Sequence, residues 1–353
     1  MQYTTDDVHI TGMQEVIAPE QLMQDLPISD EISSLVFSTR QDISNIIHRR
    51  DPRLLVVVGP CSIHDPDAAL EYTRRLVDEA HKYQEHLLLI MRVYFEKPRT
   101  TIGWKGLIDD PHLNNSYDIN EGLHIARRLL LDIGELGMAT GTEFLDPISP
   151  QYVGDLVSWG AIGARTTESQ IHRQLASGLS CPIGFKNSTD GTVQIALDAI
   201  RSSSKPHIFL SVTKQGHSAI FSTSGNPDCH VILRGGNKGP NYAADSIAKT
   251  TSDMADVAIP AGIMVDMSHA NSQKDHKRQL VVSSSLSEQL ACGNQDIVGV
   301  MVESNLTEGR QDIGDAPAAL TYGQSVTDAC IGWEDTQSVL AELHHATASR
   351  ASR

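Results

Sequence analysis

The sequence predicts a closed (β/α)8 TIM barrel with an N-terminal extension and an inserted β-hairpin. Three observations lead there. Short apolar runs recur eight times, amphipathic helical segments lie between them, and one β-rich segment interrupts the rhythm. The runs are LLVVVGP (54–60), LLLIMRV (87–93), MATGTEF (138–144), AIGARTT (161–167), PIGFKN (182–187), HVILRGG (230–236), GIMVDMS (262–268) and IVGVMVE (297–303). Between them, PDAALEYTRRLVDEAHKY (66–83) and INEGLHIARRLLLDIGELG (119–137) place apolar residues at three-and-four spacing, the second ending on a glycine stop. HIFLSVTKQGHSAIFSTSGN (207–226) has two β-rich pieces around Lys-Gln-Gly, which reads as a hairpin outside the barrel. Residues 1–45 are polar and weakly helical, an extension packed outside the barrel domain of 46–353.

The chain has 353 residues, which suits one large barrel with extensions. Its 28 Lys and Arg against 44 Asp and Glu give a net charge of −16, which opposes binding to nucleic acid or to an anionic membrane. Any anion must be captured locally. MQYTTDDVHI has neither a positively charged start nor an apolar stretch, and no apolar run approaches a membrane span, so a cytoplasmic location is expected. Five scattered cysteines without a CxxC pair argue for reduced thiols rather than a disulfide framework.

Barrel enzymes work at the carboxyl ends of their strands, where loops surround an open mouth. In order, those ends carry Cys61, Arg92, Glu143, Arg165, Lys186, Arg234, His269 and Glu303, and FEKPRTTIGWKG beyond the second run adds Lys97, Arg99, Thr100 and Lys105. A single strand-end arginine is usually a loop salt bridge. Several converging in an acidic protein imply a phosphate or carboxylate site, because the guanidinium fork matches both. Cys61, His269 and Glu303, with Asp328 from the last loop, mix soft and hard donors and suit a borderline divalent ion: Mn2+, Fe2+, Co2+ or Zn2+. A buried core cysteine and a hydrogen-bonded histidine are the plainer alternatives. Lys186 also admits a Schiff-base role, though its arginine neighbours favour an anion contact. His64 and Asp65 read as supports or first-turn helix residues.

The motifs GPCSIHD (59–65), MRVYFEKPRTTIGWKGLI (91–108), GARTTESQ (163–170), GFKNSTDG (184–191), HVILRGG (230–236), DMSHANSQK (266–274) and YGQSVTDACIGWEDT (322–336) resemble those of the feedback-regulated, class I 3-deoxy-D-arabino-heptulosonate-7-phosphate (DAHP) synthases. The resemblance runs over essentially the whole length. It implies a metal-dependent, aldol-type condensation of phosphoenolpyruvate with erythrose 4-phosphate, the first step of the shikimate pathway. It makes Cys61, His269, Glu303 and Asp328 the metal ligands, with Mn2+ foremost. Arg92, Lys97, Glu143, Gly163, Ala164, Arg165, Lys186 and Arg234 match the phosphoenolpyruvate positions, and Lys97, Pro98, Arg99 and Thr100 those for the sugar phosphate. Lys97, Lys186, Glu143 and His64 are the candidate catalytic residues. Carbon three of phosphoenolpyruvate is a weak nucleophile, so a Lewis-acidic metal is needed to activate the aldehyde. Glu143 or a metal-bound water then delivers water to carbon two.

The resemblance also implies feedback by an aromatic amino acid and a homodimer or homotetramer. Asp6, Asp7, Pro150, Gln151, Leu175, Leu179, Ser180, Phe209 and Ser211 match the effector pocket of the phenylalanine-sensitive form, whereas Phe221 stands where that form has a smaller apolar residue. Phenylalanine is the expected effector and tyrosine the alternative. A sister synthase for a five-carbon sugar phosphate and a Schiff-base aldolase are the competing activities.

Overall fold

Alternation within each apolar run decides which side chains fill the barrel and which face the helices. In β1 (Leu54–Gly59), Leu55 and Val57 pack inward, while Leu54, Val56 and Val58 join the layer beneath the helices. The computed structural model describes residues 3–99, 103–314 and 319–352. The other barrel strands are β2 (Leu87–Arg92), β3 (Thr140–Glu143), β4 (Trp159–Ile162), β5 (Ile183–Lys186), β8 (Cys229–Leu233), β9 (Ile263–Asp266) and β10 (Ile297–Glu303). They close in the order β1-β10-β9-β8-β5-β4-β3-β2, and every pair is parallel.

Helix α3 (Pro66–Tyr83) coincides with the expected amphipathic segment. The Asp65 carboxylate caps it by accepting from the backbone N–H groups of Asp67 and Ala68, and Pro66 sits where no intrahelical donor is needed. Its buried face is Ala68, Ala69, Tyr72, Thr73, Leu76 and Tyr83. Helix α4 (Ile119–Glu135) likewise buries Leu123, Ala126, Leu130 and Ile133.

The N-terminal extension does more than pack outside. Helix α1 (Pro19–Asp25) is followed by α2 (Asp30–Ile47), which runs across the expected division at 45/46. The last turn of α2 places Ile43, Ile46 and Ile47 in one cluster with Leu55, Val57, Trp159, Ile232, Met264 and Met301, and the Ile47 carbonyl accepts from Gly262 N–H at 2.7 Å. These isoleucines therefore stop the amino-terminal end of the barrel.

The hairpin forms where expected. Strand β6 (Ile208–Val212) pairs antiparallel with β7 (Ser218–Ser222), Phe209 opposite Phe221, outside the barrel sheet. The fourth run is shifted. Residues 161–167 read as a strand, but β4 ends at Ile162, because the Gly163 carbonyl accepts from the N–H groups of Thr166 and Thr167 and turns the chain. The β-branched threonine pair imitates a strand while its hydroxyls close a loop; Thr167 Oγ1 donates to the carbonyls of both Gly163 and Lys186.

Replacing Ile46 with Ala should cost about 2–5 kcal/mol of unfolding free energy, the range for a large core aliphatic, measured by urea denaturation. A loss below about 1 kcal/mol would show that α2 does not stopper the barrel.

Candidate active site and metal centre

At the carboxyl end of the strands, a fully buried ion pair organises the mouth. Arg92, last residue of β2, donates from Nη2 to Glu303 Oε1 at 3.0 Å, and both side chains have no solvent exposure. The same guanidinium donates to the carbonyls of Pro60 (3.0 Å) and Cys61 (3.1 Å), and lies 3.5 Å from the centre of the Tyr94 ring. It thereby anchors the loop after β1, in which Cys61 sits two residues beyond the strand.

Glu303 ends β10. Its Oε2 accepts from Ser268 Oγ at 2.6 Å. Burial opposes its charge, yet His269, Arg92 and Lys97 together hold the carboxyl well below the usual carboxylate range. Asp328 arrives from the last loop, which runs back across the mouth: Ile331 N–H donates to the Glu303 carbonyl at 3.0 Å, and Gly309 and Cys330 exchange backbone hydrogen bonds. This brings Asp328 Oδ2 to 3.7 Å from Cys61 Sγ. Cys61, Glu303 and Asp328 each offer a ligand atom within 4.8 Å of the others, and no other such group occurs among the described residues. The expected fourth ligand, His269, stands at the edge of this cluster, its Nε2 4.0 Å from Glu303 Oε1.

A thiol and two carboxylates, with an imidazole adjacent, fit a borderline divalent ion. Burial, reinforced by Glu303, pushes the Cys61 thiol up to about 11. Lys97 Nζ, 3.1 Å from the sulfur, works in the opposite direction. A metal on this sulfur would displace its proton.

Beside the cluster lies a cavity of about 280 Å3. Arg92, Lys97, Pro98, Arg99, Glu143, Gly163, Ala164, Arg165, Lys186, Arg234, His269 and Asp328 all line it, together with Thr189 and Thr327. Of the expected substrate positions only Thr100 falls outside the described residues. Lys186 Nζ is 3.8 Å from Glu143 Oε2 and 3.3 Å from Asp266 Oδ2. Arg165 is exposed and donates from Nη1 to the Pro98 carbonyl at 2.6 Å, joining two rims of the cavity. Arg234 receives orientation from its backbone, whose N–H donates to Asn187 Oδ1 at 2.8 Å. A Cβ at Gly163 would lie 2.5 Å from Glu143 Oε1 and would displace that carboxylate from its present position. His64 is half-buried, with a pKa lowered by burial, and is not among the residues lining this cavity. Asp266 and Tyr94 also border the ion pair and the cavity cations, though neither is among the strand-end candidates of the sequence. Asp266 had a signal, an acid ending an apolar strand inside DMSHANSQK.

A separate cavity of about 890 Å3 is lined by Pro150, Gln151, Leu175, Leu179, Ser180, Phe209, Ser211 and Phe221, all anticipated, and also by Val36, Phe37, Arg40 and Lys214. The rings of Phe209 and Phe221 are 6.2 Å apart. Asp6 and Asp7 are exposed and line no part of it. Cys61 and Cys330 are free buried thiols.

The DAHP synthetase I family model matches residues 25–341. The chain belongs to this family. Among relatives of the DAHP synthetase I chain, the phospho-2-dehydro-3-deoxyheptonate aldolase of Haemophilus influenzae is 57% identical over 345 residues, 98% of this chain and 95% of the relative. The Phe-sensitive phospho-2-dehydro-3-deoxyheptonate aldolase of Escherichia coli K12 is 54% identical over 350 residues, 99% of each. A solved phospho-2-dehydro-3-deoxyheptonate aldolase from Francisella tularensis superposes with a TM-score of 0.95 at 52% identity, covering 97% of this chain and 99% of that one.

The two arginines divide by burial. Arg92→Ala strands a buried carboxylate and should cost about 3–5 kcal/mol of stability. Arg165→Ala, at an exposed position, should change stability by less than about 1 kcal/mol. Denaturant titration of both variants tests the division, and equal losses would refute it.

Proposed function

We propose that the 280 Å3 cavity joins phosphoenolpyruvate to erythrose 4-phosphate, with water, to give DAHP and inorganic phosphate. The observation that carries the reading is the meeting of a Cys-Glu-Asp cluster, its thiol and Glu303 buried and Asp328 exposed at the mouth, with a cage of Lys186, Arg165, Arg234 and Lys97 in one small cavity. The cations hold two anionic substrates together against their repulsion and convert a bimolecular encounter into an oriented one. Arg92, already committed to Glu303 and two carbonyls, contributes positive potential and rigidity.

A divalent ion on Cys61, Glu303, Asp328 and His269, with Mn2+ the proposed choice, supplies Lewis acidity toward the aldehyde oxygen. The chain's own groups do the remaining work. Lys97, beside Cys61, offers a proton to the oxygen that becomes the new hydroxyl. As carbon three of phosphoenolpyruvate bonds to the aldehyde carbon, positive charge grows at carbon two, Glu143 takes a proton from the water that adds there, and the resulting hemiketal phosphate breaks its carbon-two–oxygen bond to release inorganic phosphate and leave the ketone. Lys186 compensates the charges of Glu143 and of the leaving phosphate. Pro98 and Arg99 border the sugar-phosphate end. A Schiff base on Lys186 is disfavoured, since its ammonium faces the carboxylates of Asp266 and Glu143.

The 890 Å3 cavity is proposed as the effector site, with phenylalanine the ligand. The Phe209 and Phe221 rings give an apolar aromatic wall, and Lys214 and Arg40 give cations for a carboxylate. Such a ligand lowers activity only by binding the less active conformation more tightly.

A phosphate-release assay with both substrates should lose at least ~99% of its rate after chelation, a loss set by the whole Lewis-acid contribution, and regain it on adding Mn2+. Full turnover by metal-depleted protein would overturn the mechanism. Phenylalanine should depress the initial rate by about 5–150-fold at saturation, the usual size of a coupling free energy, and more strongly than tyrosine or tryptophan. Indifference to all three would remove the regulatory assignment.

A further inference from the structure

We infer that Asp266 is a positioning residue of the active site, sharing one carboxylate between His269 and Lys186 so that the metal cluster and the anion cage keep a common register. The inference rests on the proposed metal centre. Asp266 is the last residue of β9, has no solvent exposure, and makes polar contacts on both sides: Oδ2 is 2.9 Å from His269 Nδ1 and 3.3 Å from Lys186 Nζ. The Asp266–His269 approach is a close polar contact rather than an aligned hydrogen bond. With Nδ1 turned to Asp266, the opposite ring nitrogen, Nε2, points at Glu303 and the ligand cluster.

The backbone is bent to make this possible. His269 adopts φ +57°, a left-handed conformation uncommon outside Gly, though histidine enters it more readily than most side chains, and its carbonyl accepts from Lys274 N–H at 2.8 Å. Asp266 steadies the turn itself. Its Oδ1 accepts from Ser268 N–H at 3.0 Å, and its carbonyl accepts from Asn271 Nδ2 at 2.8 Å. Ser268 in turn donates from Oγ to Glu303. One four-residue turn thus ties the carboxylate, the imidazole and a second ligand together. Strain of this kind persists only where surrounding contacts over-determine it, and it concentrates at functional sites.

A carboxylate behind a ligating imidazole selects the tautomer and aims the ring, and its loss commonly weakens metal binding 10–100-fold. Here the same oxygen also faces Lys186, so the ammonium that meets the substrate anion is held in place by the group that aims the ligand.

The test is a double-mutant cycle read by Mn2+ binding in equilibrium dialysis, without substrates. Asp266→Asn should weaken Mn2+ binding about 10–100-fold, and His269→Ala should weaken it also. In the double variant the Asn substitution should add less than about 3-fold, because Asp266 acts through the ring it aims. Additive losses would overturn the inference, as would unchanged binding by folded Asp266→Asn. If Asp266→Asn does not fold, Asp266→Glu enters the same cycle, and it should weaken Mn2+ binding in the wild-type background but not relative to His269→Ala. The KM for phosphoenolpyruvate should rise in Asp266→Asn relative to His269→Ala, reporting the Lys186 arm; equal values would overturn the shared role. Loss of Mn2+ binding in neither single variant, with wild-type binding intact, would instead remove His269 from the metal centre and the inference with it.

Discussion

The Arg92–Glu303 ion pair at the mouth of the barrel is the constraint on which the rest of the site depends. Each charge alone would be costly in a water-free interior, and together they are tolerated because every direction of the guanidinium is used: a carboxylate, two carbonyls and a tyrosine ring. The two carbonyls belong to the loop holding Cys61. The carboxylate belongs to the same cluster as Asp328. One cation therefore connects β2 to β10 across β1, and a metal-type donor set assembles around its partner.

That arrangement also reconciles a strongly acidic protein with anionic substrates. Long-range potential from a net charge of −16 repels phosphate. Inside a small cavity walled by low-dielectric strands, a few lysines and arginines outweigh the distant surface, since short separations and poor screening favour the near charges. Burial divides the labour between them. Arg92 is locked into structure, while Arg165 lies at the exposed rim, where an arriving ligand meets it.

The barrel was legible because its signal is local and periodic. Eight apolar runs, alternating with helical spacing, announce their own geometry, and the hairpin announced itself by two β-rich pieces around a glycine turn. The errors were equally physical. The run 161–167 imitated a strand because threonine has high β propensity, whereas Thr166 and Thr167 close a turn on Gly163. The division at 45/46 falls inside α2, whose Ile43 lies on one side of it and Ile46 and Ile47 on the other, and all three stopper the barrel together.

Sequence by itself determined the eightfold alternation, the chemical types gathered at the strand ends, and the family, because each is written in contiguous motifs. It also supplied the effector-site candidates, eight of which line one cavity. Only the tertiary structure decided which groups touch. Asp328 reaches Cys61 because the last loop folds back over the mouth, and Asp266, ending β9, meets Lys186, ending β5, because β8 alone separates those strands in the closed barrel. Contacts between residues tens to hundreds of positions apart leave no periodic trace in a chain, since they are set by barrel closure and loop path rather than by any local preference.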